Sequence, residues 1–287
     1  MLPVLLEIGP VKLHSYGLLI AIGFLIALHF VRRDAAVAGS NPDVFTNLAF
    51  WVFPLVILGM RVELILLYPQ YFSWNAPLDW FAIWKGGLVF QGAIPVAVPF
   101  IWYYLSRHSI PFLNACDVFV PYVPLGHAFG RLGCFMYGCC YGRPTELPWG
   151  IPARRVPWDV SVPPEGSPAF MDHLSQFADV TVSSHWSHAI HPTQLYSAVG
   201  LSIMCWLLLR VRARWSHIAG ITLGAYGLTY GFFRFVVEFF RGDHNPTNFG
   251  SLTDQRVFSV GLSLAGAALI VYLVRRSRRF SSRSTSA

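Results

Sequence analysis

Charged residues are scarce in this chain of 287 residues: Asp, Glu, Lys and Arg make up only 12% of it, against roughly 25% in soluble domains. This low share of charge excludes an ordinary water-soluble globular protein. Apolar residues instead account for 54% of the sequence, and they occur in blocks near the roughly 20 residues that a helix needs to cross a bilayer. The composition predicts an all-α polytopic membrane protein, with residues 1–287 as a single integral membrane domain.

The sequence also lacks a pattern typical of nucleic-acid binding. Its net charge is +7, but the basic residues are scattered beside apolar blocks and form no surface interleaved with aromatic residues. A cleavable signal peptide is not indicated either, because the first apolar block, residues 13–31, is too long and its arginines follow it. We therefore expect no nucleic-acid partner, and we expect this block to remain as the first span.

Eleven arginines lie on every second connection between the apolar blocks. Because cytoplasmic loops collect Lys and Arg, the chain is expected to begin outside, cross the membrane seven times and end in a basic cytoplasmic tail, residues 275–287. The blocks are residues 13–31, 45–67, 86–105, 116–129, 194–209, 218–240 and 257–274. The arginines are Arg32, Arg33, Arg107, Arg210, Arg212, Arg214, Arg275, Arg276, Arg278, Arg279 and Arg283.

Three segments are then expected on the outer side, at residues 1–12, 68–85 and 130–193. The last of these is long enough to form a small external head, inserted between the fourth and fifth helices. In the fourth block, Gly126 and Gly130 have the spacing of small residues that favours close packing against a neighbouring helix.

Two of the predicted spans contain ionisable residues, which are costly at membrane depth and so face a protein interior or a wet cavity. Arg61 lies near the outer end of the second span, and Arg234 and Glu238 lie within the sixth. Arg234, Glu238 and Arg241 have the i, i+4 and i+7 spacing of residues on one helix face. One interpretation is a structural pair of Arg234 with Glu238, with Arg241 extending to the interface. The other is a site for an anionic lipid headgroup, because a guanidinium fork matches phosphate oxygens.

A glycine-rich segment, residues 126–151, gives the strongest local signal. It reads GHAFGRLGCFMYGCCYGRPTELPWGI and places Arg131 among glycines, which allow the backbone to approach a ligand closely. A second motif, HPTQLYSA at residues 191–198, opens the fifth span and puts His191 and Gln194 at the membrane surface. Both motifs are candidates for a binding site at the outer edge of the membrane.

Cysteines and histidines of the outer segment leave two alternatives open. They are Cys134, Cys139 and Cys140, and His185, His188 and His191. Either set supplies metal-ligand residue types, but neither spacing is a recognised zinc pattern. On the outer side of a membrane, a disulfide of Cys134 with Cys139 or Cys140 is the stronger expectation.

Six motifs occur along the chain in an order that resembles the prolipoprotein diacylglyceryl transferase family of bacterial inner membranes. From the first to the sixth span they are HSYGLLIAIGF, MRVELILLYP, KGGLVFQGA, GRLGCFMYGCCYGR, HPTQLY and FRFVVEFFR. The resemblance implies the fold of that family: seven transmembrane helices with a small periplasmic head, the N-terminus outside and the C-terminus cytoplasmic. It also implies location in the bacterial inner, or cytoplasmic, membrane.

The activity that this resemblance implies is transfer of a diacylglyceryl group from phosphatidylglycerol to the lipobox cysteine thiol of prolipoproteins, the first step of lipoprotein maturation. The implied partners are phosphatidylglycerol and the signal peptides of prolipoproteins, and no metal or organic cofactor is implied. The candidate catalytic residues are Arg131, Arg234, Gln91 and Glu238. The candidate residues for binding phosphatidylglycerol are Arg131, Arg234, Tyr16, Arg61, Gly142, His191, Gln194 and Tyr196.

Three positions depart from the family pattern. Gln91 stands where the family usually has a histidine, Cys134 where it has an asparagine, and Cys139 near a position where it has an acidic residue. A glutamine cannot accept a proton as a base. Either no base is required there, or His127 or His191 replaces it, or the chain is a divergent paralogue that uses another acceptor or anionic phospholipid. A non-catalytic lipid-binding or transport protein is the remaining alternative, and the lack of internal repeats disfavours a transporter.

Overall fold

The computed structural model describes residues 4–8, 11–72, 80, 89, 92–154, 167–181, 183–243 and 253–284. Within these residues the chain is mostly helical. The packing divides it into two units, residues 28–118 and residues 1–27 with 119–287. The helices are α1 (Ser15–Val37), α2 (Pro42–Leu67), α3 (Ala93–Arg107), α4 (Phe112–Phe119), α5 (Val123–Tyr137), α6 (Pro168–Gln176), α7 (Thr193–Arg214), α8 (Ile221–Glu238) and α9 (Asp254–Ser284). The strands are β1 (Val4–Ile8), β2 (Val11–His14), β3 (Ile151–Arg154) and β4 (Trp186–Ile190).

Every one of the seven predicted apolar blocks overlaps a helix, although the start of the third block lies outside the described residues. Four helices are long and apolar enough to cross a membrane: α1, α2, α7 and residues Asp254–Arg279 of α9. Within the described residues α3 has only 15 residues, and α8 is less apolar because it carries Arg234 and Glu238. The total of seven spans therefore stays a prediction.

The fourth block is divided into two helices. A 3-10 turn at Val120–Tyr122 separates α4 from α5, and Pro121 lies in this turn. Pro124 lies in the first turn of α5, where a missing N–H is tolerated. Beyond residue 129, where the apolar block ends, α5 continues to Tyr137, so Arg131 lies on the helix itself.

In the unit formed by residues 28–118, α2 packs closely against the start of α3. A side chain at Gly59 would collide with the backbone carbonyl of Gly92, and the reverse also holds. The backbone N–H of Val89 donates to the carbonyl of Met60, at 3.2 Å. Two facing glycines thus allow the helix backbones to approach each other.

In the other unit, α5, α7, α8 and α9 pack in sequence order. The N-terminal part of α1 packs against α5 at two glycines, because a Cβ at Gly23 would lie 2.5 Å from Cβ of Phe129, and one at Gly133 would lie 2.8 Å from Cδ2 of Tyr16. A Cβ at Gly126 would lie 3.9 Å from the carbonyl oxygen of Gly23 on α1, which is an ordinary contact, whereas one at Gly130 would meet no atom of the described residues outside its own helix within 4 Å. The predicted close packing is therefore found near Gly126 and Phe129 and again at Gly133, but not at Gly130.

The segment between α5 and α7, predicted to lie on the outer side, has a small core of its own. β3 and β4 pair antiparallel with Ile151 opposite Ile190, and α6 packs on them. Ser167 caps α6, since its hydroxyl accepts from the backbone N–H of Phe170 at 3.3 Å. The buried core consists of Tyr141, Ala153, Ala169, Phe170, Val180 and Ile190.

His173 of α6 is buried beside this core, and its Nδ1 lies 3.0 Å from Oγ of Ser187. Burial lowers the pKa of His173 below its usual value, and the neighbouring His188 lowers it further, whereas Asp172 acts in the opposite direction. The outer segment therefore contains a histidine that is neutral in the folded protein at pH 7.

Candidate active site

Arg131 is fixed by a neighbour on its own helix. Its Nε donates a hydrogen bond to Nε2 of His127, one turn earlier on α5, at 3.1 Å. Because a guanidinium only donates, the neutral imidazole must carry its proton on Nδ1. The ring of His127 also faces the ring of Tyr230 on α8, with 5.8 Å between the centroids. The His127–Arg131 pair therefore meets α8 through the ring of His127.

Arg234 and Glu238 on α8 form the predicted ion pair, with 2.8 Å between Nη1 and Oε2. Both side chains are almost completely buried, at 10% and 0% exposure. The hydroxyl of Thr253, just before α9, donates to Oε1 of Glu238 at 2.9 Å. The carboxylate of Glu238 is thus fixed by an ion pair at Oε2 and a hydrogen bond at Oε1, and it keeps Arg234 in one position.

The charges of α5 and α8 lie within electrostatic reach of each other. The positive charges of Arg131 and Arg241 both repel the guanidinium of Arg234. The ring of His127 lies within the electrostatic range of both Arg131 and Arg234. The structure therefore brings together the two arginines that the motifs single out, although they lie on different helices and far apart in the sequence.

The side chain of Arg241 is turned into the protein and paired there, whereas one of the two interpretations had it extend to the membrane interface. α8 ends at Glu238, and Arg241 is buried at 6% exposure. Its Nε and Nη2 donate to the two carboxylate oxygens of Asp243 at 2.8 and 2.6 Å. The predicted helical face ends before Arg241 because the chain turns there, and the nearby carboxylate satisfies the guanidinium inside the protein.

Gly142 lies where three segments meet. It pairs with Arg241 in a β-bridge, and the N–H of Arg143 donates to the carbonyl of Phe240 at 2.8 Å. The N–H of His191 donates to the carbonyl of Arg143 at 3.0 Å. A Cβ at Gly142 would lie 2.5 Å from Cβ of His191 and 2.8 Å from the carbonyl oxygen of Phe240. The glycine is thus needed for contact between backbones of the protein itself.

The HPTQLY motif holds the end of α5 in place. Gln194 is fully buried, and its Nε2 donates to the carbonyl of Cys139 at 2.7 Å. The hydroxyl of Thr193 donates to the carbonyl of Cys140, also at 2.7 Å. Gln194, predicted to bind lipid, therefore uses an amide N–H to position the backbone after α5.

His191 and Tyr196 of the same motif lie side by side, with 3.3 Å between Nδ1 and the phenol oxygen. The indole N–H of Trp149, in the outer segment, donates to the hydroxyl of Tyr196 at 2.7 Å. The ring of His191 also contacts Phe240 edge to face, with centroids 5.2 Å apart. These contacts place both residues at the Gly142 junction.

Tyr16 at the start of α1 is 40% exposed and lies over α5 at Gly133. Its ring centroid is 6.4 Å from that of Tyr137, and its hydroxyl lies within electrostatic reach of Arg131. The structure therefore assembles eight of the ten predicted site residues in one unit: Tyr16, Arg131, Gly142, His191, Gln194, Tyr196, Arg234 and Glu238.

The remaining two candidates belong to the other unit. Arg61 is buried, its Nε donates to the carbonyl of Trp80 at 3.0 Å, and its guanidinium lies 5.0 Å from the ring centroid of Phe72. Its described contacts hold the segment after α2. Gln91 lies outside the described residues.

The disulfide predicted for Cys134 is not formed, since all five cysteines of the chain are free thiols. The sulfur atoms of Cys134, Cys139 and Cys140 nevertheless lie within 4.8 Å of one another. Three ligand atoms of the alternative metal set, His185, His188 and His191, do not converge in this way. His188 instead lies 3.2 Å from Asp179, and His191 contacts Tyr196.

Two residues of the site were missed by sequence reasoning. Thr253 holds Glu238 from a position that no motif marks, so no local signal indicates it. Asp243 follows Arg241 by two residues in RGD, and this proximity of opposite charges was the available signal.

A family model described as prolipoprotein diacylglyceryl transferase matches residues 3–272 of this sequence. The chain belongs to this family. The resemblance predicted from the six motifs is therefore confirmed. With four helices apolar enough to span a membrane, this member of the prolipoprotein diacylglyceryl transferase family is a membrane-bound transferase.

Several phosphatidylglycerol–prolipoprotein diacylglyceryl transferases are similar to the chain over most of their length. That of Stenotrophomonas maltophilia (strain R551-3) is 31% identical over 280 residues, which cover 94% of this chain and 90% of the relative. That of Xylella fastidiosa (strain 9a5c) is 32% identical over 278 residues, with 93% and 91% covered. That of Pseudomonas paraeruginosa (strain DSM 24068 / PA7) is 32% identical over 287 residues, with 96% and 94% covered.

Proposed function

We propose that this protein transfers the diacylglyceryl group of phosphatidylglycerol to the lipobox cysteine thiol of prolipoproteins, releasing glycerol phosphate and forming a thioether. The family and the named activity of its relatives support this assignment. The structural observation that carries it is the position of Arg131 and Arg234, which lie on two different helices: Arg131 is hydrogen-bonded to His127, and Arg234 lies within electrostatic reach of the same ring.

The balance of charge around these arginines suits an anionic headgroup. Arg131, Arg234 and Arg241 are accompanied by the carboxylates of Glu238 and Asp243. Three guanidinium groups and two carboxylates leave one positive charge in this cluster of described residues. Arg234 uses one terminal nitrogen on Glu238, so donors remain for phosphate oxygens.

The proposed reaction is a displacement at carbon. The thiol gives its proton to a base, its sulfur forms a bond to the glycerol carbon that carries the phosphate, and the bond from this carbon to the phosphate oxygen breaks. The electron pair leaves with the oxygen. Negative charge on the phosphate grows in the transition state, where Arg131 and Arg234 stabilise it. Glu238 keeps Arg234 oriented for this role.

Of the two histidines proposed to replace the family's histidine at position 91, His191 is the better base. Nε2 of His127 already accepts from Arg131, and its Nδ1 carries the proton. We therefore assign His127 the positioning of Arg131. His191 contacts Tyr196 through Nδ1, and in the tautomer with the proton on Nδ1 its Nε2 is a free acceptor.

The other candidates have supporting roles in this proposal. We expect Tyr16, which is 40% exposed and within electrostatic reach of Arg131, to contact the lipid, and Arg61 and Gln91 remain candidates. His191 and Tyr196 line the binding site at the junction, while Gly142 and Gln194 maintain its backbone.

We further propose the finer arrangement expected from the arginine pattern and the family. The chain crosses the bacterial inner membrane seven times, with its N-terminus in the periplasm and residues 275–287 in the cytoplasm. The segment of residues 130–193 forms a periplasmic head, which the small core around Phe170 supports. The protein substrates are recognised by their signal peptides.

Rescue of cells depleted of their own transferase tests the function. The chain is expected to restore growth and to add the mass of one diacylglyceryl unit to a reporter lipoprotein, whereas Arg131→Ala is expected to do neither. Failure of the wild-type chain on both measures would contradict the assignment. Release of glycerol phosphate from labelled phosphatidylglycerol without lipoprotein modification would instead identify a paralogue with another acceptor, as Gln91 and Cys134 suggest.

A further inference from the structure

Three thiols converge at the C-terminal end of α5, and the transfer reaction proposed above does not use them. The sulfur atoms of Cys134, Cys139 and Cys140 all lie within 4.8 Å of one another. Cys134 is buried, whereas Cys139 and Cys140 are partly exposed, and none of the three forms a disulfide. The cluster is therefore reachable from outside the protein but enclosed on its inner side.

The backbone conformation brings the thiols together. α5 ends at Gly138 with φ of +83°, and the N–H groups of Gly138 and Cys139 both donate to the carbonyl of Cys134, at 2.8 and 3.2 Å. Cys140 has φ of +58°, a left-handed conformation that residues with a side chain adopt rarely. The chain thus folds back over the end of α5.

Two buried side chains of α7 hold this turn. Thr193 donates to the carbonyl of Cys140 and Gln194 to that of Cys139, both at 2.7 Å. The cysteine backbone is fixed by groups outside the cluster, so the thiols are arranged before any ligand arrives. Such preorganisation is what a binding site requires.

We propose that Cys134, Cys139 and Cys140 form a binding site for one thiophilic d10 metal ion, Cu⁺ or Zn²⁺. Soft thiolate ligands select these ions. In a tetrahedral zinc site with Zn–S bonds of about 2.3 Å, neighbouring sulfurs are about 3.8 Å apart, so the thiols need to move by no more than about 1 Å. Each ligating thiol releases its proton to solvent.

The surrounding charge favours the metal-bound form. Three thiolates with one divalent ion carry one net negative charge, and with a monovalent ion two. Arg131 and Arg241 both lie within electrostatic reach of Cys140 and compensate this charge. The cationic surroundings that suit a phosphate in the neighbouring site thus also suit a metal–thiolate centre.

The two ions would differ in the number of ligands that they take at this site. Among the described residues, no further His, Cys, Asp or Glu joins the three cysteines. Cu⁺ would be held by three sulfurs alone, whereas Zn²⁺ would complete its tetrahedron with a water molecule. An iron–sulfur cluster is disfavoured, because such clusters are held by four protein ligands.

Metal titration of the full-length protein tests the site. The purified protein, reduced and freed of metal by a chelator, is titrated with Cu⁺ against a chromophoric Cu⁺ chelator, and separately with Zn²⁺ against a zinc chelator. We expect one ion per chain in at least one titration. X-ray absorption at the metal edge of the wild-type protein is expected to show three sulfur neighbours, with one oxygen added only in the zinc form.

Serine variants identify the ligands. Cys134→Ser, Cys139→Ser and Cys140→Ser are each expected to weaken binding by more than the roughly 10- to 100-fold that loss of an outer-shell partner costs. Cys205→Ser, which removes a buried thiol of α7, is the matched control and is expected to bind as the wild type does. Thermal melting without metal checks that each variant is folded.

Three results would overturn the site. They are the absence of saturable binding of either ion to the reduced wild-type protein, an absorption spectrum with fewer than three sulfur neighbours, and unchanged binding in folded Cys140→Ser. None of these measurements depends on transferase activity, so they test the metal site independently of the proposed function.

Discussion

Arg234 and Glu238 lie one turn apart on α8, with 2.8 Å between Nη1 and Oε2, and neither is accessible to solvent to any large extent. Pairs of this kind contribute little net stability relative to apolar residues, because both charges lose their hydration. Removing one partner is costly, since it leaves the other charge buried without compensation. Net stability therefore does not account for this pair, and a role in the proposed site does.

Substitutions of this pair separate its two roles. Glu238→Gln is expected to destabilise the protein by about 3–5 kcal/mol, because it leaves Arg234 uncompensated. The double variant Arg234→Met with Glu238→Leu is expected to recover most of this loss but to remain inactive. Thermal melting and diacylglyceryl transfer to a reporter peptide measure the two effects. Glu146→Gln, at an exposed position, is the control. A melting temperature of Glu238→Gln equal to that of the wild type would contradict the prediction.

Arg131→Lys is expected to lower kcat by about 10²- to 10³-fold, the usual effect of removing one donor to a developing oxyanion. A lysine keeps the positive charge but loses the planar fork and the Nε–H bond to His127. Glycerol phosphate release from phosphatidylglycerol in detergent measures the effect. Arg107→Lys at the end of α3 is the matched exposed change and is expected to be neutral. Equal rates for both variants would remove Arg131 from the chemistry.

Gly142→Ala is expected to destabilise the protein by about 1–3 kcal/mol through overpacking, because the new methyl group meets His191 and Phe240. Gly130→Ala is the matched control, since a Cβ there would meet no atom of the described part of the chain outside its own helix within 4 Å. There alanine is expected to stabilise α5 by up to about 1 kcal/mol. Melting temperatures of the two variants should therefore shift in opposite directions, and equal shifts would argue against the junction at Gly142.

Stability is expected to fall between pH 7 and pH 5 because of His173. Its folded-state pKa is lowered by burial, so the unfolded chain binds a proton below about pH 6.5 that the folded chain does not. The free energy of unfolding therefore decreases as the pH falls below the unfolded pKa, and it levels off below the folded pKa. The melting temperature of His173→Asn should depend less on pH across this range than that of the wild type. His185→Asn, a change at an exposed position, is the control and should keep the pH dependence of the wild type. Parallel slopes in all three proteins would exclude His173 as the cause.

Local patterns in the sequence were sufficient to predict the helices and one contact of the site, the ion pair of Arg234 with Glu238. Apolar blocks located the helices because lipid forces the backbone to satisfy its own hydrogen bonds. The ion pair of Arg234 with Glu238 followed from i, i+4 spacing alone. The same spacing argument failed at Arg241, because the helix ends three residues earlier and local charge does not mark that end.

Contacts between distant segments account for the rest. The glycines around Arg131 indicated a close approach of backbone, but only the structure shows that Gly142 approaches His191 and Phe240 of the protein. The cysteine spacing likewise allowed a disulfide, whereas a left-handed turn at Cys140 instead gathers three free thiols. Neither outcome depends on the few residues around each position.

The convergence of α5 and α8 has a consequence for biosynthesis. Arg131 and His127 leave the ribosome well before Arg234, and at roughly 5–20 residues per second the delay is roughly 5–20 s. During this interval the His127–Arg131 pair has no α8 to pack against, and the backbone after α5 has not yet met Phe240. The proposed catalytic centre is therefore among the last parts of the chain to be assembled in the membrane. A nascent protein stalled before residue 234 would hold its first arginine in place without the second, and would be unable to act on lipid.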